Sequence, residues 1–317
     1  MGSKDELMEL ASVIVKNDWD EQNIVQHKKW SITQFHGTAF DSDYKCYKLL
    51  WKEWPRNGLA VMSPRIIRSY VAKITNVTED LALQILYEEG LPVPRMEAII
   101  RFNGGRIMIF MELLPGSELY SNTDHNAWKD AAKKLAEIHN RFWAGKHKED
   151  RRLNALSVNR AVLERIQNAT NNAARKESWH KYMQTVQARL ATAPKTLIHG
   201  DLFPTNIMVD NGCASFIDWA NAGVFAYMMD LGRLTAIIDQ KTLAPMCPCE
   251  DVVLKEYYRM MQDALQISYD EFLADVHMAQ FIELANYYTP WRCFGVNDVY
   301  NQLTAKKLDE IVAAHHY

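Results

Sequence analysis

Two aspartates and an asparagine occupy regular positions in residues 197–219, the segment LIHGDLFPTNIMVDNGCASFIDW. Asn206 follows Asp201 by five positions, and Asp218 follows Asn206 by twelve. Between them, Asp210-Asn211-Gly212 has the composition of a tight hairpin turn, because asparagine followed by glycine accepts the backbone angles of such turns. A hairpin centred there would return Asp218 to a position beside Asn206.

These residue types suit phosphoryl transfer from a nucleotide. That reaction needs a carboxylate near the attacking hydroxyl and oxygen ligands that hold Mg²⁺ against the phosphates. The interval between Asp201 and Asn206 equals that of the protein-kinase catalytic loop, H-R-D-x-x-x-x-N, with Gly200 in place of the arginine. The segment therefore predicts a magnesium-dependent phosphoryl-transfer site.

The chain around this segment has two parts with different patterns. Up to about residue 114, runs rich in β-branched and aromatic residues predict strands at 31–35, 44–51, 68–75, 95–100 and 106–113. The main helix of this part is predicted from Thr78 to Glu89, with Thr78 as its N-cap. Beyond Pro115-Gly116, apolar residues at helical spacing predict helices at 128–142, 153–173, 177–190, 231–240, 252–265 and 270–288.

The motifs resemble those of the aminoglycoside phosphotransferase and choline kinase-like family. HGDLFPTN followed by FIDW resembles the family's catalytic loop and metal motif. MELLPG resembles its hinge, LPVP the start of the strand after the first-lobe helix, and LAEIH the helix ahead of the catalytic loop. Together these motifs cover residues from about 70 to 232.

The resemblance implies an α+β, two-lobed protein-kinase-like fold. Residues 1–114 would form a β-rich N-terminal lobe with one main helix, which binds the nucleotide. Residues 115–317 would form a mostly helical C-terminal lobe with the catalytic and acceptor-binding residues.

The resemblance also implies roles for individual residues. Asp201 would be the catalytic base or the carboxylate that orients the acceptor hydroxyl, although an aspartate that merely caps a turn is the alternative. Asn206 and Asp218 would bind Mg²⁺. His199 would mainly brace the loop, and Asp230 would hold the second lobe together.

A lysine and a glutamate in the first lobe resemble nucleotide-binding residues of the family. Lys73, in VAK, resembles the third-strand lysine that contacts nucleotide phosphates. Glu79 would be its helix partner, because it lies thirteen positions before Pro92, as the family's glutamate does. Only six positions separate Lys73 from Glu79, which is closer than the family usually shows. Either the connection is unusually tight or one assignment is wrong.

Two other parts of the first lobe would contact the nucleotide. Met111 and Leu113 lie at the start of the hinge, where backbone N–H and C=O groups pair with an adenine edge as another strand would. Gly37 and Thr38 would form the turn over the phosphates. They precede Lys73 by more than 30 residues, which leaves room for an insert at 51–68 that either shapes the cleft or is merely exposed.

These features predict a small-molecule kinase, a phosphotransferase with an alcohol group as acceptor. It would use Mg²⁺ to transfer the γ-phosphoryl group of ATP (or GTP) to a hydroxyl of an antibiotic or metabolite. One alternative is a kinase that acts on a protein, but Trp219-Ala220 replaces the Phe-Gly of protein kinases and no A-P-E follows. Another is a nucleotide-binding pseudokinase without turnover, which the joint presence of Asp201, Asn206 and Asp218 disfavours.

Charge gives an expectation about the acceptor. Residues 221–317 hold 13 acidic and 7 basic side chains, a net charge of −6. Acidic and aromatic side chains together favour an amine-bearing acceptor, and the candidates are Asp263, Asp270, Glu271, Asp275, Glu283, Tyr287, Tyr288 and Trp291. The alternative is that the acids coat helix surfaces and the aromatics fill the core.

Composition disfavours two other classes of partner. The net charge of −3 and the lack of a basic stripe argue against nucleic-acid binding. No apolar run approaches the roughly 20 residues of a membrane-spanning helix, and MGSKDELMEL lacks the pattern of a signal peptide. We therefore expect a cytoplasmic protein with no membrane partner.

Overall fold

The computed structural model describes residues 28–35, 46–53, 65–101, 107–145, 155–156, 172–288 and 298–315. Gly37, Thr38 and Trp291 lie outside these residues, as does most of the helix predicted at 153–173. The chain divides into two compact units. The first contains the described residues up to Glu88 and Val93–Leu114, and the second contains Glu89–Pro92 and the described residues from Pro115 onwards.

The first unit is one antiparallel sheet with a helix. The strands follow the order β1-β2-β3-β5-β4 across the sheet. They are β1 (Lys28–Phe35), β2 (Cys46–Glu53), β3 (Arg65–Thr75), β4 (Met96–Arg101) and β5 (Ile107–Glu112), and helix α1 (Val77–Glu88) follows β3. The five strands and the helix predicted for this part of the chain are thus confirmed.

Strand β3 leads directly into α1. Alternate β3 side chains, those of Tyr70, Ala72 and Ile74, are buried, as expected for a strand with one face in a core. The Asn76 side chain accepts a hydrogen bond from the backbone N–H of Glu79 (3.1 Å), so Asn76 is the N-cap of α1. The prediction of Thr78 as N-cap was wrong, because asparagine two positions earlier already supplies the capping oxygen.

The second unit is mainly helical, with two small antiparallel sheets. One sheet has the order β6-β8-β9, and the other pairs β10 with β7. The strands are β6 (Ser117–Glu118), β7 (Lys195–Ile198), β8 (Ile207–Asp210), β9 (Cys213–Phe216) and β10 (Gly223–Ala226). The helices are α2 (His125–Arg141), α3 (Ala173–Thr192), α4 (Met228–Ala236), α5 (Glu250–Leu265), α6 (Tyr269–Tyr287) and α7 (Asp298–Ala314).

The hairpin predicted at Asp210-Asn211-Gly212 is confirmed. Ile207 pairs with Phe216 and Asp210 with Cys213, so the two strands are in register around a two-residue turn. Asn211 and Gly212 both have positive φ, 49° and 79°, as a turn matched to strand twist requires.

Helix α4 differs from the helix predicted at 231–240. It ends at Ala236 because the chain turns back on itself, with Ile238 bridged to Pro245. The Asp239 carboxylate accepts the backbone N–H groups of Lys241 (2.8 Å) and Thr242 (2.7 Å), which stabilises this turn against continued helix. Helix α7 was not predicted at all.

The core of the second unit forms where amphipathic helices meet. Trp128, Ala131, Leu135 and Ile138 of α2 are fully buried, which confirms the apolar stripe predicted from their spacing. Helix α4 approaches α6 very closely: a Cβ atom placed on Gly232 would lie 2.6 Å from both the carbonyl carbon and the Cβ of Ala279. None of the helices in the described part of the chain is long and apolar enough to cross a membrane.

We expect Gly232→Ala to lower the free energy of unfolding by about 1–3 kcal/mol, because the added methyl group forces α4 and α6 apart. The loss should appear although alanine gains about 1 kcal/mol of helix propensity over glycine. Chemical denaturation measures the change, and Asn140→Ala, at an exposed position of α2, serves as control. Unchanged stability of Gly232→Ala would show that the two helices separate at no cost.

Candidate active site

The loop between β7 and β8 is anchored by one buried carboxylate. Asp230, on α4, is 1% exposed. Its Oδ2 accepts the backbone N–H of His199 (2.7 Å) and its Oδ1 accepts that of Gly200 (3.0 Å). The ring of His139, on α2, lies 3.3 Å from Oδ2 through Nε2. Two successive backbone donors therefore fix the start of the loop to helix α4.

Asp230 stays ionised despite its burial. Burial alone would raise the pKa of this carboxyl, but the hydrogen bond and charge of His139, with the contacts from His199, hold that pKa below the usual value of an aspartate. The charge is thus stabilised by the donors that it organises. His139 in turn contacts the Tyr257 hydroxyl through Nδ1 at 2.7 Å.

His199 connects the two halves of the segment. Its Nε2 donates to the carbonyl of Ile217 (2.8 Å), the residue before Asp218. Its Nδ1 accepts the backbone N–H of Asp201 (3.3 Å). This pattern assigns the proton to Nε2, and both ring nitrogens of His199 are engaged in hydrogen bonds to the backbone. The ring therefore braces the backbone at both aspartates.

Gly200 has a structural reason for standing where protein kinases have arginine. Its φ is +75°, and a Cβ atom there would lie 2.1 Å from the backbone oxygen of Asn221. Only glycine satisfies both conditions.

Asn206 joins the remaining residues of the motif. Its side-chain nitrogen donates to the backbone carbonyl of Asp201 (2.8 Å), and the backbone carbonyl of Asn206 accepts the backbone N–H of Ile217 (3.0 Å). Asp218 follows Ile217 with φ +67°, a left-handed conformation that aspartate tolerates better than most residues. The structure thus brings Asp201, Asn206 and Asp218 into one continuous hydrogen-bonded segment.

The donor set suits Mg²⁺. The bond from the Asn206 nitrogen to Asp201 orients the amide oxygen away from that carbonyl. An amide oxygen and the Asp218 carboxylate are hard ligands of the kind that Mg²⁺ takes, together with phosphate oxygens and water. Within the described residues, no cluster of three or more His, Cys, Asp or Glu could hold a metal ion. Two protein ligands would leave the remaining positions around Mg²⁺ to phosphate oxygens and water.

Sequence reasoning missed a residue that contacts Asp201. Arg233, one turn after Asp230 on α4, makes an ion pair through Nη1 with Asp201 Oδ1. Its Nε and Nη2 both lie 2.8 Å from Oε2 of Glu283, on α6. The signal available in the sequence was the spacing D-L-G-R, which places Arg233 on the same face of the helix as the loop anchor.

Most of the acidic candidates for an amine-binding surface are engaged within the second unit. Glu283 pairs with Arg233, and Asp275 accepts both Nε (2.6 Å) and Nη2 (2.7 Å) of Arg189. Glu271 forms a capping box with Ser268 at the start of α6. Asp263 and Asp270 are exposed.

The aromatic candidates divide between the site and the core. The Tyr287 ring packs edge-on against Phe203 at 5.9 Å, near Asp201. The Tyr288 ring packs against Trp179 at 5.5 Å. Of the described aromatic candidates, Tyr287 is therefore the one that packs against the loop between β7 and β8.

In the first unit, Lys73 and Glu79 form an ion pair. Lys73 Nζ lies 3.0 Å from Oε1 and 2.8 Å from Oε2 of Glu79, which is completely buried. The Thr75 hydroxyl also contacts this carboxylate. A separation of six positions is enough for this contact because β3 ends at Thr75 and α1 begins two residues later. Of the two explanations given for the short spacing, the structure agrees with the tight connection.

The end of β5 is also described. Met111 pairs with Val71 of β3, and its side chain is 6% exposed. The backbone N–H of Leu113 donates to the carbonyl of Ser69 (3.2 Å). Because this bond uses the Leu113 N–H, an adenine edge here would have to bind other backbone groups of the strand end.

The sequence matches the model of the phosphotransferase enzyme family over residues 60–246. No curated protein matches the chain significantly.

Three similar solved structures are an amicoumacin kinase, a spectinomycin phosphotransferase and an ethanolamine kinase. The amicoumacin kinase hAmiN, in complex with AMP-PNP, Ca²⁺ and Ami, has a TM-score of 0.55 and 15% identity, with 95% of this chain and 96% of that chain covered. Spectinomycin phosphotransferase APH(9)-Ia, in complex with ADP and spectinomycin, has a TM-score of 0.55 and 14% identity, with 89% and 91% covered. Plasmodium vivax ethanolamine kinase has a TM-score of 0.54 and 13% identity, with 98% and 90% covered. At these identities the likeness shows the fold, and the predicted α+β protein-kinase-like fold class is confirmed.

We expect Asp230→Asn to lower the free energy of unfolding near neutral pH by at least ~2 kcal/mol, because an amide cannot replace a carboxylate toward several buried donors. The folded-state pKa of Asp230 lies below its unfolded value. Its charge therefore stabilises the protein above about pH 4 and loses this effect as the pH falls further.

The difference in stability between wild type and Asp230→Asn should therefore shrink as the pH is lowered from about 5 to 3. Urea unfolding at several pH values measures it, with Asp263→Asn, at an exposed position of α5, as control. A difference that stays constant over this range would contradict a role for the Asp230 charge.

Proposed function

This chain belongs to the phosphotransferase enzyme family, and we propose that it is a kinase that transfers the γ-phosphoryl group of ATP to a hydroxyl of a small molecule. The observation that carries the proposal is the arrangement of the catalytic segment. Asn206 bonds through its side chain to Asp201 and through its backbone to Ile217, the residue before Asp218. These bonds support the proposal because they hold together, in one loop and hairpin, the three residues proposed to act on the acceptor and the metal.

In the proposed reaction, Asp201 orients the acceptor hydroxyl and accepts its proton as the new oxygen–phosphorus bond forms. The bond between the γ-phosphorus and the β,γ-bridging oxygen breaks at the same time, and ADP leaves with that oxygen. Asn206 and Asp218 would hold Mg²⁺ through the amide oxygen and the carboxylate. Bound Mg²⁺ supplies charge that offsets the charge developing on the phosphate oxygens. His199 contributes by fixing the backbone at Asp201 and Ile217, through the contacts described above.

Nucleotide binding is proposed for residues of the first unit. Lys73 would contact the phosphates of ATP or GTP, and buried Glu79 would hold the Lys73 ammonium in place. The backbone near Met111 and Leu113 would contact the base, through groups other than the Leu113 N–H. A phosphate-binding turn at Gly37 and Thr38 stays a prediction.

The acceptor is proposed to be an antibiotic or metabolite with a hydroxyl, and to carry an amine. The net charge of −6 in residues 221–317 supports the amine. The ion pairs of Asp275 and Glu283 weaken that support, because their charge is already compensated. Of the two rings packed together near Asp201, Phe203 already has the Arg233 guanidinium 5.3 Å from its centroid, so Tyr287 is the ring proposed to contact a cationic group.

The function is tested by incubating the protein with Mg²⁺-ATP or Mg²⁺-GTP and a panel of acceptors. The panel contains aminoglycosides, spectinomycin, amino alcohols, and sugars with and without an amine, and mass spectrometry detects a product heavier by one phosphoryl group. Phosphorylation of a panel compound supports the proposal. Phosphorylation only of added proteins, or nucleotide binding without any turnover, would contradict it in favour of a protein kinase or a pseudokinase.

We expect Asp201→Asn to lower kcat at least ~10²-fold on any acceptor found, because the hydroxyl loses its hydrogen acceptor at nearly constant shape. Nucleotide binding, measured by calorimetry, should change little. Asp210→Asn, in the turn of the same hairpin, is the matched control and should retain wild-type kcat. A kcat near that of wild type in Asp201→Asn would refute the role of Asp201.

We expect Asp218→Asn to remove the Mg²⁺-dependent part of the increase in Tm that nucleotide produces, because the metal loses its charged protein ligand. Asparagine is chosen because it accepts the left-handed backbone at this position, where alanine would add strain. Thermal melts with nucleotide, with and without Mg²⁺, measure the effect. The same Mg²⁺-dependent shift as in wild type would exclude Asp218 as a ligand.

A further inference from the structure

The ion pair between Arg233 and Asp201 is part of a three-residue chain. Arg233 uses Nη1 for Oδ1 of Asp201, and uses Nε and Nη2, each at 2.8 Å, for Oε2 of Glu283. The guanidinium is therefore shared between the proposed catalytic carboxylate and a second carboxylate on α6. A planar fork of donors suits this bridging, because two of its edges face different acceptors at once.

The side chains of these three residues lie in largely buried surroundings. The exposed fractions of the side chains are 16% for Arg233, 4% for Glu283 and 28% for Asp201. Burial opposes the charge of Arg233, but Glu283 and Asp201 together raise its pKa above the usual value of an arginine. The guanidinium therefore keeps its charge, and Glu283 keeps it in place.

Packing leaves Arg233 little freedom. The guanidinium carbon lies 5.3 Å from the centroid of the Phe203 ring, which itself packs on Tyr287. Arg233 projects from α4, whose residue Asp230 anchors the backbone of the same loop. One helix thus fixes both the backbone of the loop and the side chain of Asp201.

We propose that Arg233 is a positioning residue for phosphoryl transfer, which holds Asp201 by Oδ1 and leaves Oδ2 to receive the acceptor hydroxyl. Glu283 fixes the Arg233 guanidinium for this task. The proposal rests on the proposed function, since it requires Asp201 to act on an acceptor. Its physical basis is that a reacting carboxylate must be held close to its productive geometry, and small displacements reduce turnover steeply.

The test removes the pair without leaving a buried charge alone. Arg233→Met by itself would leave the Glu283 carboxylate buried and unpaired, which destabilises a protein strongly. The test variant is therefore the double substitution Arg233→Met/Glu283→Gln. The matched control is Arg259→Met/Glu256→Gln, which makes the same two substitutions in an arginine–glutamate pair within α5.

We expect Arg233→Met/Glu283→Gln to lower kcat at least ~10-fold while the KM for nucleotide changes less than ~2-fold. The control double variant should keep the kcat of wild type although its Tm falls. Arg233→Lys should recover part of the lost kcat, because a lysine keeps the charge but cannot bridge both carboxylates. Steady-state kinetics on the acceptor found in the panel measure these effects, with thermal melts of each variant.

A double-mutant cycle separates positioning from a merely structural role. If Arg233 acts through Asp201, removing the Arg233–Glu283 pair in the Asp201→Asn background should cause no further loss of single-turnover rate. An additive loss in that background would overturn the inference. So would an unchanged kcat, or an increased kcat, which would mean that the contact blocks Asp201 instead of positioning it.

The failure of this inference can be distinguished from that of the proposed function. Turnover that depends on Asp201 but not on Arg233 would contradict only the positioning role. Turnover insensitive to Asp201→Asn, or absent with every acceptor, would contradict the proposed function itself, and the positioning role with it.

Discussion

The buried carboxylate of Asp230 is the constraint on which the rest of the candidate site depends. It accepts the backbone N–H groups of His199 and Gly200, and so attaches the loop to helix α4. Without it, two backbone donors would be buried without partners, at a cost of about 1–3 kcal/mol each. The short sequence D-L-G-R of α4 then carries three functions. Asp230 holds the loop, Gly232 allows α6 to pack closely against α4, and Arg233 forms an ion pair with Asp201.

Interactions that are local in sequence were predictable. Asp201, Asn206 and Asp218 come together through one short hairpin, whose turn residues Asn211-Gly212 determine its register. The type of turn follows from backbone angles that few residues adopt, so the sequence alone specifies it. The pair Lys73–Glu79 is local too, because a strand and a helix joined by one residue leave the two side chains close together.

Interactions between distant residues were not predictable. Arg233 and Glu283 are 50 residues apart and meet only because α4 packs closely on α6. Their pairing depends on the tertiary contact at Gly232, for which residue spacing within either helix gives no signal. The predicted end of α4 was wrong for a related reason. The Asp239 side chain accepts backbone N–H groups and stabilises a turn in place of further helix, and apolar periodicity gives no information about such a turn.

The same distinction applies to electrostatics. A net charge of −6 over residues 221–317 counts every carboxylate equally, whereas an acceptor would respond to those that face it without a counter-ion. Asp275 and Glu283 each have an arginine partner, and neither acts at a distance as a free charge would. Beside Asp201, one guanidinium lies between two carboxylates and already occupies the Oδ1 side of Asp201. An ammonium on an acceptor would therefore have to bind elsewhere around the site. Selectivity for an amine would thus depend on where the acceptor places it relative to the reacting hydroxyl, more than on the total acidity of the segment.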